Sequence, residues 1–258
     1  MRSGFDGLVS WTKPIRRGVA TGLCVAAVWS GSSAAQAGED GMGSVLVTAA
    51  AGERQSLLGV GAGQNFNAID GYRQLTDAQK KQIEDVFWTG LDFNALRIWL
   101  PVGEYAPSPG VTDLDAAFTD PYLEMVRGAV ARGVDQIVVT AAGVPEYMKH
   151  QRQVDNVNRG SGTVTQTVLR PEQVRAHADA LAGYVHDVWT THGIEIDAVS
   201  LQNEPDVPNH PGELYYNAAL MVEGIKTLRA ALDDRGLTHV KVVGPESSSA
   251  DDTAARYL

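Results

Sequence analysis

The feature that most constrains this chain is a repeated pattern: a short apolar segment, then a loop, then an amphipathic helix. The apolar segments start near residues 56, 95, 136, 197 and 240. The helical segments place apolar residues three and four positions apart, as in Val174, Ala178, Leu181, Val185 and Val188. Strands that alternate with helices of this length predict an α/β fold with a parallel sheet covered by helices.

The spacing of the strands indicates a particular kind of parallel sheet. Successive strands start about forty residues apart, except where a polar segment at 150–168 lengthens one unit. This spacing is typical of a (β/α)8 TIM barrel, which needs eight such units. Five strands are visible before Leu258, so we predict a barrel truncated after about the fifth strand, with an open sheet as the alternative. Residues 56–258 are interpreted as the five N-terminal βα units of one domain.

The N-terminal segment has the pattern of a signal peptide. Lys13, Arg16 and Arg17 precede a short apolar stretch at 18–29, and Ala-Gln-Ala at 35–37 is a cleavage site. The apolar stretch is well short of the roughly 20 residues that span a membrane, so we expect no membrane anchor. We predict a signal peptide at 1–37 with cleavage after Ala37, a leader at 38–55, and a secreted or periplasmic protein.

Charge and cysteine content narrow the class of partner. Removing residues 1–37, which carry four basic residues and one acidic residue, changes the formal net charge from −10 to −13. A chain this acidic is a poor partner for nucleic acid or an anionic membrane, so neutral substrates are expected. The single cysteine, Cys24, lies inside the signal, which leaves the mature chain with no disulfide or thiol nucleophile. The six histidines lack the spacing of metal ligands, and we predict neither metal nor cofactor.

One apolar segment ends in polar side chains that could take part in catalysis or ligand binding. Residues 198–205 read Ala-Val-Ser-Leu-Gln-Asn-Glu-Pro, and Pro205 stops the strand because it lacks an N–H. Glu204 is therefore expected at the carboxyl end of a strand, where α/β proteins bind substrates. A Glu there can act as a general acid, and Asn203 can hydrogen-bond a hydroxyl-rich ligand. The alternative is a Glu that merely ends a strand in a solvated loop.

Three further strands end in polar or aromatic groups. Arg97 can bridge to a catalytic carboxylate, bind a sugar hydroxyl, or form a structural salt bridge. Trp99 is either a stacking platform for sugar or a buried aromatic. Tyr147 lines a subsite or packs within its loop. Glu246 is a second carboxylate or a capping, salt-bridged residue.

Four of these segments together resemble the family 30 glycoside hydrolases. They are Leu-Arg-Ile at 96–98, Pro-Glu-Tyr-Met-Lys at 145–149, Ser-Leu-Gln-Asn-Glu-Pro at 200–205, and Val-Gly-Pro-Glu-Ser at 243–247. The segments occur in the family's order and at roughly its spacing, and the resemblance covers about 59–258. The family belongs to a clan of retaining (β/α)8 glycosidases that have an Asn-Glu pair after strand four. The chain departs from the family at 140–144, where a Trp is usual and Thr-Ala-Ala-Gly-Val stands instead.

The resemblance implies a mechanism and a substrate class. Glu204 would be the general acid/base, Asn203 would contact the sugar 2-hydroxyl, and Arg97 would support the nucleophile. The nucleophile of the clan is a Glu after strand seven, which has no counterpart in this chain. The implied function is hydrolysis of β-linked oligo- or polysaccharides by double displacement. Two alternatives stay open: Glu246 as the partner of Glu204 within this chain, or a non-catalytic polysaccharide-binding protein or inactive fragment.

Overall fold

A five-stranded parallel sheet forms the centre of the fold in the computed structural model, which describes residues 59–63, 66–155, 162–207 and 214–248. The described residues form seven strands: β1 (Gly61–Gly63), β2 (Ala95–Pro101), β3 (Gln136–Ala142), β4 (Lys149–Asp155), β5 (Thr163–Leu169), β6 (Ala198–Ser200) and β7 (Lys241–Val243). Strands β4 and β5 form a separate two-stranded sheet, and the other five form the central sheet. The sheet order is β1-β2-β3-β6-β7, and every neighbouring pair is parallel. The predicted parallel α/β arrangement is confirmed. The predicted signal peptide at 1–37 and leader at 38–55 lie outside the described residues.

Helices follow the sheet strands and cover one face of the sheet. They are α1 (Phe66–Arg73), α2 (Asp77–Glu84), α3 (Val102–Tyr105), α4 (Leu114–Ala117), α5 (Asp120–Ala131), α6 (Val174–His192) and α7 (Ala218–Asp233). A π-helical turn at Asp85–Gly90 continues α2, and 3-10 turns lie at Glu146–Met148 and Pro171–Gln173. Thr76 caps α2 through a capping box with Gln79. In the described parts of the chain, no helix combines the length and apolar character needed to cross a membrane.

The core lies between the sheet and the helices. Ile98 on β2, Val139 on β3 and Val199 on β6 are paired in register and are fully buried. They belong to one apolar cluster with residues such as Leu181 on α6 and Leu228 on α7. Because side chains alternate along a strand, the residues between them point to the opposite face of the sheet. On that face Arg97 and Trp99 of β2 remain partly exposed.

The first strand starts later than the sequence indicates. A strand is predicted at 56–60, but residues 59–60 are irregular, 56–58 lie outside the described residues, and β1 occupies the glycine-rich run instead. Gly61 is paired with Ala95, and a Cβ atom on Gly61 would lie 1.7 Å from the carbonyl oxygen of Ala95. Only a residue without a side chain fits there, so close backbone approach, not apolar content, decides where β1 forms.

Most described residues of the polar segment at 150–168 belong to two antiparallel strands, which we call the hairpin. Strands β4 and β5 are antiparallel, with Gln151 opposite Thr167 and Gln153 opposite Thr165. Each Gln amide donates a hydrogen bond to the opposite Thr hydroxyl, at 2.8 and 2.6 Å. Polar cross-strand pairs stabilise a sheet that has little apolar content, and apolar periodicity therefore failed to predict this hairpin.

The spacing of Ile83, Val86 and Phe87 predicts an apolar helical stripe that runs from α2 into the turn after it, but these residues do not face the core. Ile83, Val86 and Phe87 are 42, 53 and 41% exposed, whereas Glu84 and Trp88 are buried. The π-helical turn rotates the residues after Glu84 relative to a regular helix. Glu84 is held by Tyr72, which donates to it at 2.5 Å, and by an ion pair with Arg132. The polar network, not the hydrophobic period, sets the orientation of this helix.

Candidate functional site

Two residues from neighbouring strands, Arg97 on β2 and Thr140 on β3, meet two residues from the loops after β6 and β7, Asn203 and Glu246. Nη2 of Arg97 donates to Oδ1 of Asn203 at 2.6 Å and forms an ion pair with Oε1 of Glu246 at 2.7 Å. Nε of Arg97 donates to the hydroxyl of Thr140 at 2.8 Å, and that hydroxyl donates to Oε1 of Glu246 at 3.0 Å. Arg97 is therefore the centre of a connected polar cluster, which we call the Arg97 cluster (Arg97, Thr140, Asn203 and Glu246).

The register of the sheet explains why these side chains meet. Trp99 is paired with Thr140, and Thr140 is paired with Ser200, so these residues share one face of the sheet with Arg97. The Arg97 guanidinium lies 4.5 Å from the centroid of the Trp99 ring, which is a cation–π distance. The hydroxyl of Tyr122 bonds the backbone of Trp99 twice. It accepts from the N–H of Trp99 at 2.7 Å and donates to the carbonyl of Trp99 at 3.0 Å. Strand β2, which carries Arg97 and Trp99, is thus anchored to α5.

Glu246 has two carboxylate oxygens in different surroundings. Oε1 carries the bonds from Arg97 and Thr140. Oε2 is buried and has no hydrogen-bond partner among the described residues. The backbone of Glu246 has φ = 53°, a left-handed conformation that is uncommon for a residue with a side chain. An observed outlier of this kind is a reason to consider a functional role.

Glu204 has the same unusual backbone conformation, with φ = 42°. The residue before it is tied to the sheet, since the N–H of Asn203 donates to the carbonyl of Ala141 at 3.2 Å. The residue after it is tied to a neighbouring loop, since the carbonyl of Pro205 accepts from the N–H of Tyr216 at 3.0 Å. The side chain of Glu204 is partly exposed. A partly exposed carboxyl between two fixed backbone positions can meet a ligand without a change in the main chain.

Tyr216 links the loop that carries Glu204 to a buried histidine, His177. The hydroxyl of Tyr216 lies 3.2 Å from Nδ1 of His177 on α6, and both side chains are fully enclosed. Burial lowers the pKa of His177 to about 4, because the interior disfavours the charged imidazolium. The imidazole is therefore neutral at physiological pH.

A second contact joins the two loops that carry Glu204 and Glu246. Asp206 is 1% exposed, and its carboxylate accepts from the hydroxyl of Ser247 at 2.7 Å. It also accepts from the N–H of Ser248 at 2.9 Å and from the hydroxyl of Ser248 at 3.0 Å. Three donors from one loop thus converge on one carboxylate of the other.

The structure brings most of the residues predicted from sequence into one place. Arg97 contacts both Asn203 and Glu246, Trp99 lies under Arg97, and Glu204 follows Asn203 in the chain. Tyr147 is the remaining aromatic candidate. It lies in a 3-10 turn, packs half-buried against the core, and has its pKa raised by burial.

Sequence analysis missed two polar residues at this edge, Thr140 and Asp206. Thr140 is fully buried at the end of an apolar strand, where a hydroxyl needs a partner. Asp206 follows directly after the Asn-Glu-Pro segment and is also buried. Their polarity at strand ends was a usable signal, but the residues that they contact are 41 or more positions away in sequence.

A cavity of about 660 Å³ lies beside the hairpin formed by β4 and β5. It is linked to the candidate site through the segment before α7: the N–H of Tyr215 donates to the carbonyl of Thr167 on β5, and Tyr216 bonds Pro205. Its polar and aromatic lining includes His150, Arg152, Gln153, Tyr215, Asn217 and Glu223. An aromatic ring among amide and charged groups is suited to a hydroxyl-rich ligand.

Comparison with known proteins identifies the fold. No protein-family model and no curated protein matches the sequence. Its structure is similar to a glycoside hydrolase family 30 subfamily 8 xylanase from Clostridium acetobutylicum, with a TM-score of 0.56 and 22% identity over 79% of this chain and 48% of that one. It is similar to the catalytic domain of a family 30 xylanase from Talaromyces cellulolyticus, with a TM-score of 0.61 and 20% identity over 79% and 50%. An endo-β-1,6-glucanase matches with a TM-score of 0.59 and 18% identity over 76% and 45%.

The chain spans about half the length of these enzymes. The similar structures are (β/α)8 glycosidases, and the mostly parallel sheet with covering helices agrees with them, which confirms the predicted fold class. At this level of identity the similarity concerns the fold. Over its described residues, this chain has the fold of the family 30 glycoside hydrolases.

Proposed function

We propose that this chain belongs to an exported, retaining glycoside hydrolase that cleaves β-linked oligo- or polysaccharides. The observation that carries the proposal is the Arg97 cluster at the carboxyl edge of the sheet, directly beside Glu204, in the fold of a glycoside hydrolase. Substrates bind at this edge in parallel α/β proteins. The positive segment, apolar stretch and Ala-Gln-Ala site at the N-terminus support export.

The proposed reaction has two displacements. A carboxylate attacks the anomeric carbon, the glycosidic C–O bond breaks, and Glu204 gives its proton to the leaving oxygen. Glu204 then takes a proton from water, whose oxygen bonds the anomeric carbon and releases the carboxylate. In retaining enzymes the two carboxyl groups stand roughly 5–5.5 Å apart.

The other candidate site residues have assigned parts in this proposal. Asn203 contacts a sugar hydroxyl through its side-chain amide, which Arg97 orients by a hydrogen bond to its oxygen. Arg97 holds the side chains of Asn203 and Glu246 in a fixed position relative to each other. Trp99 and Glu246 contact the sugar at the edge of the cluster, and Tyr147 contributes to a more distant part of the binding surface.

The test is the Glu204→Gln variant of the complete protein, compared with wild type on aryl β-glycosides with good and poor leaving groups. We expect turnover to fall by about 10²-fold or more on poor leaving groups, which need the proton, and far less on good ones. Glu172→Gln, an exposed Glu elsewhere on the chain, is the matched control and should behave as wild type. Equal turnover of wild type and Glu204→Gln on poor leaving groups refutes the assignment.

Glu246 is a second candidate for the nucleophile. Its Oε2 has no hydrogen-bond partner among the described residues, and Arg97 pairs with the other oxygen of the same carboxylate. A fluorinated β-glycoside that traps the covalent intermediate distinguishes the candidates. A labelled peptide containing Glu246 supports this residue, and a labelled Glu outside 59–258 supports the nucleophile that the family resemblance implies.

Polysaccharide binding without hydrolysis is the rival from a different class. The cavity beside the hairpin favours it, because Tyr215, Gln153 and Asn217 can bind sugar without a catalytic carboxylate. Retention of wild-type protein on β-glycans, with no release of reducing ends, supports this rival and excludes hydrolysis of those glycans.

A further inference from the structure

The side chain of Asp206 joins the loop after β6 to the loop after β7. Its carboxylate is almost completely enclosed and receives hydrogen bonds from Ser247 and Ser248, which are 41 and 42 residues away in sequence. A buried carboxylate is costly unless its hydrogen bonds are satisfied. A charge at this depth therefore holds its partners strongly, since hydrogen bonds to an ionised acceptor are shorter and stronger than neutral ones.

The contact closes a ring of bonded residues that includes Glu204. Arg97 bonds Asn203, the chain runs from Asn203 through Glu204 to Asp206, Asp206 bonds Ser247, and Glu246 next to Ser247 returns to Arg97. Each side of the ring is at most four residues long. Within such a short ring, a shift of one loop is transmitted directly to the other.

Both glutamates in the ring have backbone conformations that need support. Glu204 and Glu246 have φ values of 42° and 53°, and such residues persist only where surrounding contacts over-determine them. Asp206 lies two residues after Glu204, and its donors begin one residue after Glu246. The same carboxylate is therefore placed to hold both outliers.

We propose that Asp206 is a positioning residue that fixes Glu204 relative to the Arg97 cluster by clamping the loop after β6 to the loop after β7. This inference rests on the proposed function, in which Glu204 transfers the proton. Asp206 does not touch the substrate in this scheme; it acts through Glu204 and Glu246. A misplacement of about 1 Å in a catalytic group can cost about 10²-fold in rate, so loss of the clamp should reduce turnover by that order.

The experiment compares Asp206→Ala and Asp206→Asn with wild type in the complete protein. The alanine variant removes the carboxylate that accepts from Ser247 and Ser248, so kcat on poor leaving groups should fall by about 10²-fold while KM changes little. Asparagine keeps the shape and one oxygen, and the two Ser hydroxyls can rotate to accept from its amide. Asp206→Asn should therefore recover most of the lost kcat, and Ser247→Ala should cost less than Asp206→Ala.

Tyr105→Phe is the control for a purely structural loss. Tyr105 is buried on α3 and donates to Asp187 at 2.7 Å, so the variant removes one buried bond to a carboxylate away from the cluster. It should lower the melting temperature without changing the dependence of kcat on the leaving group. If Asp206→Ala behaves in the same way, with lower stability and unchanged kcat at temperatures where it is folded, the proposal is overturned.

Amide hydrogen exchange separates this outcome from failure of the proposed function. In Asp206→Ala, exchange should accelerate at 203–206 and 246–248 and stay unchanged on α5, whether or not the protein hydrolyses the glycans tested. A wild-type protein without hydrolase activity refutes the proposed function. Unchanged exchange at both loops refutes the clamp.

Discussion

Replacing His177 should change how the stability of this protein depends on pH. His177 is 1% exposed on α6, its Nδ1 lies 3.2 Å from the hydroxyl of Tyr216, and its Nε2 has no hydrogen-bond partner among the described residues. Burial lowers its pKa from 6.5 to about 4. The folded protein therefore keeps this imidazole neutral at pH values where an unfolded chain protonates it.

The size of the effect follows from these two pKa values. Well above pH 6.5 the residue is neutral in both states and contributes no pH dependence. As the pH falls from 6.5 towards 4, the unfolded chain binds a proton that the folded protein does not, so the free energy of unfolding decreases. The loss is about 2 kcal/mol at pH 5 and approaches roughly 3 kcal/mol below pH 4.

Urea denaturation of wild type and His177→Asn at pH 8 and pH 5 measures this loss. Asparagine retains a polar group near the position of Nδ1 but does not titrate, so its packing cost is the same at both pH values. We expect the stability of wild type relative to the variant to fall by about 2 kcal/mol between pH 8 and pH 5. His239→Asn is the control, because His239 is exposed, and its pH dependence should match that of wild type.

A wild-type protein and a His177→Asn variant with parallel pH dependences would contradict this reasoning. That result would mean that the folded protein protonates His177 as readily as the unfolded chain does. The enclosed position of the imidazole under the loop of Glu204 would then be wrong.

Two further substitutions test the cluster and the helix packing. Arg97→Lys should lower kcat, because a lysine ammonium cannot reproduce the fixed fork that bonds Asn203, Thr140 and Glu246 together; steady-state kinetics that match wild type would contradict the role of Arg97. Gly128→Ala should destabilise the protein by about 1–3 kcal/mol in urea denaturation, because the new Cβ would lie 2.3 Å from Oε1 of the buried Glu84. Gly71→Ala is its control, since a Cβ there meets nothing within 4 Å and a helical alanine is favoured over glycine; equal effects of the two substitutions would refute the packing at Glu84.

The parallel α/β fold could be predicted because its pattern is local. Apolar runs stopped by proline or glycine mark strands such as β2, and apolar residues at helical spacing mark α6. Asn203 and Glu204 were predicted as site residues because the proline directly after them closes the apolar segment, although β6 itself already ends at Ser200. In such a fold the carboxyl end of a strand is a binding position whatever the neighbouring strands contain.

Local apolar patterns predicted neither the hairpin nor the exposure of the apolar residues in and after α2. The pairs Gln151–Thr167 and Gln153–Thr165 stabilise β4 and β5 through polar contacts, which apolar periodicity does not register. The orientation of α2 depends on contacts of Glu84 with Tyr72 and Arg132, which are 12 and 48 residues away. A window of sequence around one helix does not contain such partners.

Sequence by itself determined the fold class and the segments that carry Arg97, Asn203, Glu204 and Glu246, because both depend on which residues stand next to one another in the chain. Only the tertiary structure decided that Arg97 bonds Asn203 and Glu246 at once and that Asp206 joins their loops. These contacts depend on the order and register of strands far apart in sequence. The register of a parallel sheet is set by the packing of the whole core, and that information is distributed over the entire chain.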